Sequence, residues 1–277
     1  MRIAYLGPAG TFTEDALRDA LPEGGFEPLR TATVPDAILA VERGEAGRAL
    51  VPFENSTEGS VRSTLDALAF EAEGVEIVGE HDFTVHAHLI ARRPIELDRV
   101  EAVLSHPQPL AQCAGFLREE LPAAERRSVS STAEAVRLVG ESEAPWAAIG
   151  ARSAADLYGC TVVREGIEDS ADNVTRFVWI ARAGTKPEGE GAWKTSLVFS
   201  ELGEDHPGAL VEALQEFSTR GINLSRIESR PLRQGLGRYM FFCDLDGPAD
   251  DPEVGAAIEA LREKAESVRI LGSYPVG

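Results

Sequence analysis

The chain has 277 residues, 43% of them hydrophobic and 26% charged, the make-up of a globular protein long enough for two or three units with separate cores. Its formal net charge of −19 argues against a nucleic-acid binder, whose affinity depends on Lys and Arg neutralising phosphates; the charge reads instead as a solvated acidic surface. Three cysteines, Cys113, Cys160 and Cys243, lie far apart and outside any CxxC pair, so neither a disulfide framework nor a thiolate metal site is expected, and no apolar run approaches the roughly 20 residues of a membrane span.

The opening MRIAYLGPAG enters an apolar strand and a Gly/Pro turn without a basic leader, which predicts a cytoplasmic location. Short apolar runs at 3–6, 49–52, 75–78, 100–104, 147–149 and 174–180 read as strands, with helical spacing at 14–20, 61–70, 110–121 and 133–139 between them. That alternation predicts an α/β fold with mainly parallel strands. Ser131 followed by Glu134 forms a capping box ahead of the last of these helices. The stretch 183–192, AGTKPEGEGA, is poor in apolar residues and reads as a linker. Beyond it, 194–202 alternates as a strand, 208–220 is amphipathic, 223–231 and 238–245 flank a Gly-containing turn, 253–265 is helical and 267–274 closes as a strand. The order βαββαβ in so few residues predicts a ferredoxin-like unit.

Four polar motifs sit where strands end and helices begin. GPAGTFTEDA (7–16) brings backbone amides, a helix N-terminus and Thr11 to one place, a setting that suits an anion, although a tight turn with a capping threonine fits it as well. Its spacing matches neither a phosphate loop nor a dinucleotide turn. VPFENSTEGSV (51–61) concentrates Glu54, Asn55, Ser56 and Thr57, more hydrogen-bonding groups than a turn needs. SHPQPLAQC (105–113) offers His106 as an acid, a base or a structural hydrogen-bonding group. DSADNVTRF (169–177) joins the hydroxyl of Thr175, the guanidinium of Arg176 and the ring of Phe177; in so acidic a chain an anion pocket needs a specific cation, and Arg176 is the expected carboxylate clamp, with a surface salt bridge as its alternative role. The remaining histidines, 81, 86, 88 and 206, form no metal-ligand spacing, so no metal is expected.

Together the four motifs resemble, in order and spacing, the conserved blocks of the prephenate dehydratase family, and GALVEALQEF with NLSRIESRP resembles the two signature segments of that family's ACT domain. The resemblance covers essentially the entire chain. It implies two α/β lobes similar to a type II periplasmic binding protein, occupying about 1–182 (lobes at about 1–79 with 161–182, and at 80–160), a linker at 183–193 and an ACT domain at 194–277. Since the dehydratase pattern starts at residue 1, the chorismate mutase segment fused ahead of some members is not expected. The implied activity is the decarboxylating dehydration of prephenate to phenylpyruvate, a carbon–oxygen lyase reaction with no cofactor. By motif match Thr175 is the catalytic residue, with Thr11, Asn55, Ser56, Arg176 and Phe177 binding substrate. Arogenate as substrate and a non-catalytic ligand sensor are the competing readings. For the ACT domain the resemblance implies a phenylalanine effector held by Gly208, Ala209 and Leu210 after the turn at 205–207, and by Asn223, Leu224, Glu228, Ser229 and Arg230. Such domains pair side by side, so a homodimer or homotetramer is expected, with neither nucleic acid nor membrane as a partner.

Overall fold

A computed structural model describes residues 1–203 and 207–276. The first lobe runs β1 (Arg2–Leu6), α1 (Phe12–Ala20), β2 (Glu27–Thr31), α2 (Val34–Glu42), β3 (Arg48–Asn55), β4 (Gly59–Ser60), α3 (Arg62–Phe70) and β5 (Val75–Thr84). The second runs β6 (His88–Ala91), β7 (Ala102–Ser105), α4 (Pro107–Gln112), α5 (Ala114–Glu119), β8 (Glu125–Ser128), α6 (Thr132–Glu141), β9 (Trp146–Gly150), α7 (Arg152–Tyr158) and β10 (Thr161–Arg164). β11 (Val174–Arg182) returns to the first lobe, and β12 (Trp193–Ser200), α8 (Ala209–Ser218), β13 (Leu224–Pro231), β14 (Tyr239–Asp246), α9 (Pro252–Arg262) and β15 (Ser267–Pro275) form the C-terminal βαββαβ unit.

The strand orders are β2-β1-β3-β11-β5, β10-β6-β9-β7-β8 and β13-β14-β12-β15. In each lobe β1 or β7 pairs in parallel with both neighbours, but β11 is antiparallel to β3 and β5, and β6 is antiparallel to β9 and β10. The sheets are therefore mixed rather than mainly parallel, because the strands next to each crossing run against the βα units. The crossing itself differs from the expected division at 80 and 161. β5 stays in the first sheet as far as Thr84, and β10 pairs with β6 in the second, so the chain passes between lobes at 85–87 and returns at 165–173. These two segments are stitched together: Val85 N donates to Asn173 O, Ile167 N to Ala87 O, and Ala87 N to the Glu168 carboxylate.

Local chemistry explains the helix limits. Ser131 accepts from Glu134 N at 3.1 Å, the expected cap of α6, and Thr33 accepts from Asp36 N at 3.2 Å to start α2. The helix expected over 110–121 is two short ones, because the Asp169 carboxylate accepts from Gly115 N at 2.9 and 3.0 Å and starts α5 afresh.

The C-terminal sheet lies against the first lobe. Val198, Met240, Phe242, Leu271 and Tyr274 join one buried cluster with Val51, Phe53, Leu65, Ile77 and Ile180. Around it Lys194 Nζ meets Glu80 at 2.8 Å, and Arg230 grips Asp66 at 2.6 and 2.7 Å. Fully burying one large apolar side chain is worth about 2 kcal/mol, whereas paired buried charges roughly offset their own desolvation. Apolar burial therefore holds the junction, and the ion pairs fix its register.

Candidate active site

A cleft of about 720 Å³ opens between the lobes, lined by the ends of β1, β2, β3 and β11 from one side and by α4 and the start of α6 from the other. Leu6, Pro8, Phe12, Val34, Pro52 and Phe177 make much of its wall apolar. Among its lining residues Arg30 is the one Lys or Arg side chain; it is 45% exposed and its Nη2 stands 3.6 Å from Glu14 Oε1. The N-termini of α1 and α6 both reach the cleft, through Thr11, Phe12 and Thr13 and through Ser131 and Thr132. At the start of α1 the Thr11 side chain makes no capping bond and donates instead to Leu6 O at 3.3 Å. This leaves helix-end amides and the positive end of the dipole facing the cavity.

Thr175 sits at the floor, 9% exposed. Asn55 Nδ2 donates to its Oγ1 at 2.9 Å, and among the described residues no group accepts from that hydroxyl, so its own hydrogen is available to a ligand. Asn55 belongs to a closed ring of side-chain bonds. It donates to Asn173 Oδ1 (2.8 Å), Asn173 donates to Gln112 Oε1 (3.3 Å), Gln112 donates to Thr57 Oγ1 (2.9 Å), and Thr57 donates back to Asn55 Oδ1 (2.6 Å). The ring draws on three motifs and on both lobes, and each member has its donor and acceptor used, which fixes the Asn55 amide.

The expected site residues divide. Thr175, Asn55, Thr11 and Phe177 line the cleft. Ser56 does not: its hydroxyl donates to Asp172 O at 2.7 Å and accepts from Val174 N at 3.0 Å, fastening β3 to the β11 approach. Arg176 is not the clamp. Alternation along β11 turns it to the opposite face from Thr175, where it meets Asp244 (2.6 Å), Glu80 (2.6 Å) and the Tyr274 hydroxyl (2.8 Å) in the junction with the C-terminal sheet. It is a buried pair, not a surface one. His106 lines the cleft while its Nδ1 accepts from Gln108 N at 3.4 Å to cap α4. Arg30, Gln112 and Asn173 were missed; recognising EPLRT followed by a Thr33-Pro35-Asp36 helix start as a βα unit would have put Arg30 at a strand end.

In the C-terminal unit, Leu210 and Leu224 pack on one core, Ala209 starts α8 after Gly208 in a left-handed conformation, and Asn223 donates to Asp246. Two of the expected effector contacts are turned away: Glu228 accepts from Ser60, and Arg230 is paired with Asp66, both of the first lobe. Ser229 lies on the exposed face. Residues 205 and 206 of the expected turn lie outside the described residues.

The sequence profile described as prephenate dehydratase matches residues 3–185, and that of the ACT domain matches 201–263. The chain belongs to the prephenate dehydratase family. A prephenate dehydratase of Mycolicibacterium smegmatis is 42% identical over 99% of this chain and 90% of its own length. A bifunctional chorismate mutase/prephenate dehydratase of Neisseria gonorrhoeae is 41% identical over 99% of this chain and 74% of its own. Among solved structures, the Arthrobacter aurescens prephenate dehydratase in complex with L-Phe superimposes with a TM-score of 0.90 at 42% identity, covering 99% and 90% of the two chains. GqqA, described as a novel type of quorum quenching acylase, has a TM-score of 0.86 at 31% identity over 100% and 98%. One architecture thus carries different described chemistries, and the activity of a dehydratase-family chain must be argued from its cleft. No helix of the described residues is long and apolar enough to cross a membrane.

Glu14 holds this cleft's first loop in shape: its carboxylate accepts from Gly10 N at 2.9 Å and from Arg18 at 2.8 Å. Burial pushes its pKa up, but the bonds from Arg18 and Gly10 and the charge of Arg30 outweigh this and hold it below the usual 4.5. The stabilisation is therefore fully present above that value and lost as pH falls through the depressed one. Glu14→Gln is expected to lower the melting temperature at pH 7, with the gap to wild type closing in acid; a gap independent of pH between about 6 and 3 contradicts this.

Proposed function

We propose that this chain converts prephenate to phenylpyruvate, expelling CO2 and water, under control of phenylalanine bound by the C-terminal unit. The observation that carries the reading is the Thr175 hydroxyl, seated by Asn55 with its hydrogen free, in a cleft whose lining has one Lys or Arg side chain, Arg30. In the reaction the bond from the ring to its carboxylate breaks, its electron pair enters the ring, and the bond to the ring hydroxyl breaks on the opposite side. Electrons move within the substrate, so aromatisation supplies the driving force without a redox partner. Negative charge leaves the departing carboxylate and gathers on the departing oxygen. A cation on the former would favour the ground state, while a donor on the latter favours the transition state. Arg30 and the α1 amides therefore suit the side-chain carboxylate, which stays ionised, and the apolar wall suits the carboxylate that becomes CO2. Thr175 donates to the leaving oxygen; a threonine hydroxyl is too weak an acid to ionise fully, so it serves within a proton relay.

Arg30→Ala is expected to raise KM for prephenate by about tenfold or more with kcat changed by less than about threefold, since it removes binding common to ground and transition states. Unchanged KM would leave the cleft without its proposed anion partner. The deciding assay supplies purified full-length protein with prephenate or arogenate: phenylpyruvate supports the proposal, phenylalanine supports arogenate as substrate, and no product from either favours a sensor. Phenylalanine should lower the rate and raise the melting temperature. Pairing of C-terminal units into a homodimer or homotetramer is supported by the exposed Val211, Ile227 and Tyr239 on α8, β13 and β14, and by β13 being an edge strand. The biosynthetic role fits a cytoplasmic location.

A further inference from the structure

Thr175 and Arg176 are neighbours on β11 that serve opposite faces of one sheet. The first faces the cleft, and the second is the most heavily engaged side chain of the junction with the C-terminal unit. Two arms of the Arg176 guanidinium are hydrogen-bonded there, and the third, Nε, lies within ion-pair distance of a carboxylate without a hydrogen bond. Nη1 meets Asp244 Oδ2 of β14 at 2.6 Å, Nη2 donates to the Tyr274 hydroxyl of β15 at 2.8 Å, and Nε faces Glu80 at 2.6 Å, itself held by Lys194 of β12. Ser196 Oγ closes the cluster, donating to Asp244 Oδ1 at 2.6 Å and lying 2.7 Å from the Tyr274 hydroxyl. The guanidinium also lies over the Phe53 ring, 5.1 Å from its centre, and Arg226 of β13 covers the same ring at 4.9 Å.

The other group that sets the Thr175 hydroxyl is Asn55, and it too is one residue from the junction. Its neighbour Glu54 pairs with Ser60, whose hydroxyl accepts from Arg226 at 2.6 Å and donates to Glu228 at 3.2 Å. Opposite Arg176 and Phe177 the register of β3 shifts, with Phe53 unpaired between Pro52 and Glu54. Such bulges re-aim side chains, and Pro52 has no amide to donate.

The geometry points to Arg176 as a positioning residue for Thr175: the C-terminal sheet holds Arg176, and a shift of that sheet reaches the donor hydroxyl across one peptide unit. The inference rests on the reading of Thr175 as the donor. Arg176 touches neither cleft nor substrate; it acts by keeping β11 at the height where Asn55 meets Thr175. Were it only a fastener, the apolar cluster and the Arg230–Asp66 pair would do the same work with no residue beside the catalytic one.

The test compares full-length wild type with Asp244→Asn, which keeps volume and removes charge, and Tyr274→Phe, which removes one hydroxyl. Hydrogen exchange is read without ligand at amides 55–57 and 174–177, beside kcat, KM and phenylalanine inhibition. Asp244→Asn is expected to speed exchange at these amides by about tenfold and to lower kcat similarly, with KM within about threefold. Tyr274→Phe should do the same by about threefold, and both should need more phenylalanine for half-inhibition. If Asp244→Asn does not fold, Tyr274→Phe decides alone. Unchanged exchange at 174–177 overturns the proposal, as does a lowered melting temperature with kcat preserved. A wild type that fails to turn over prephenate sinks the functional reading by itself, while the exchange comparison still decides whether the sheet holds β11.

Discussion

Thr175→Ala is expected to lower kcat by about two to four orders of magnitude while KM changes by less than about threefold. The fold should tolerate it. Asn55 Nδ2 loses one acceptor but keeps Asn173 Oδ1 at 2.8 Å and Val174 O at 3.3 Å, so the loss to stability is on the order of 1 kcal/mol. The loss to the reaction is larger because charge on the departing oxygen exists only near the transition state. With one decade per about 1.4 kcal/mol, a preorganised donor worth about 3–5 kcal/mol accounts for the range. Thr175→Ser should recover part of the rate, since it keeps the hydroxyl and loses only the methyl that restricts its rotamer. Steady-state kinetics with prephenate check all three proteins, and an alanine variant within about threefold of wild type would remove Thr175 from the chemistry.

The largest expected loss of stability is at Gly272. β15 crosses β5 so closely there that a Cβ on Gly272 would stand 2.1 Å from Ile77 O and 2.8 Å from its carbonyl carbon, both backbone atoms that no rotamer change moves. Gly272→Ala must push the C-terminal sheet off the first lobe, opening the cluster that Leu271 and Tyr274 share with Ile77. Overpacking of this kind costs about 3 kcal/mol or more, and at this chain length each kilocalorie shifts Tm by about 2–4 °C. A fall of roughly 6–12 °C in a calorimetric scan is expected. A change of less than about 2 °C would mean that the junction is loose enough to yield.

Strands whose side chains are buried on both faces were legible because they read as continuous apolar runs; β1 and β9 are examples, and β3 and β11 announced themselves the same way. β2 was not legible. EPLRT is an edge strand with its polar residues exposed, so no period separates it from a loop, and Arg30 went unseen with it. The error over Arg176 has a different source. Electrostatics called for a cation and the motif held one, but a strand sends successive residues to opposite faces, and the ligand of the neighbouring side chain was an acidic residue 68 positions away. That Asn55 and Thr175 stand in the cleft was readable from motif match. Gln112 and Asn173 stood within quoted motifs, yet their part in the ring depends on how the lobes meet, which spacing along the chain does not encode. In the C-terminal unit the order of elements was plain, whereas the facing of Glu228 and Arg230 was set by a packing partner outside the unit.

The hydrogen-bonded ring around Asn55 has a thermodynamic consequence for turnover. Asn55 and Thr57 belong to the first lobe, Asn173 ends the returning segment directly before β11, and Gln112 alone comes from the second lobe. Parting the lobes therefore severs two bonds, each re-formed with water at a net loss of about 1 kcal/mol. The ring's share of the closing equilibrium is then a factor of about thirty in favour of the closed state. The Asn55 to Thr175 bond lies wholly on the first-lobe side and survives each opening. With Thr175 as the proposed donor, a parted pair of lobes would keep that donor assembled, and reorganisation in each cycle would fall on the substrate's entry rather than on rebuilding the hydroxyl's seat.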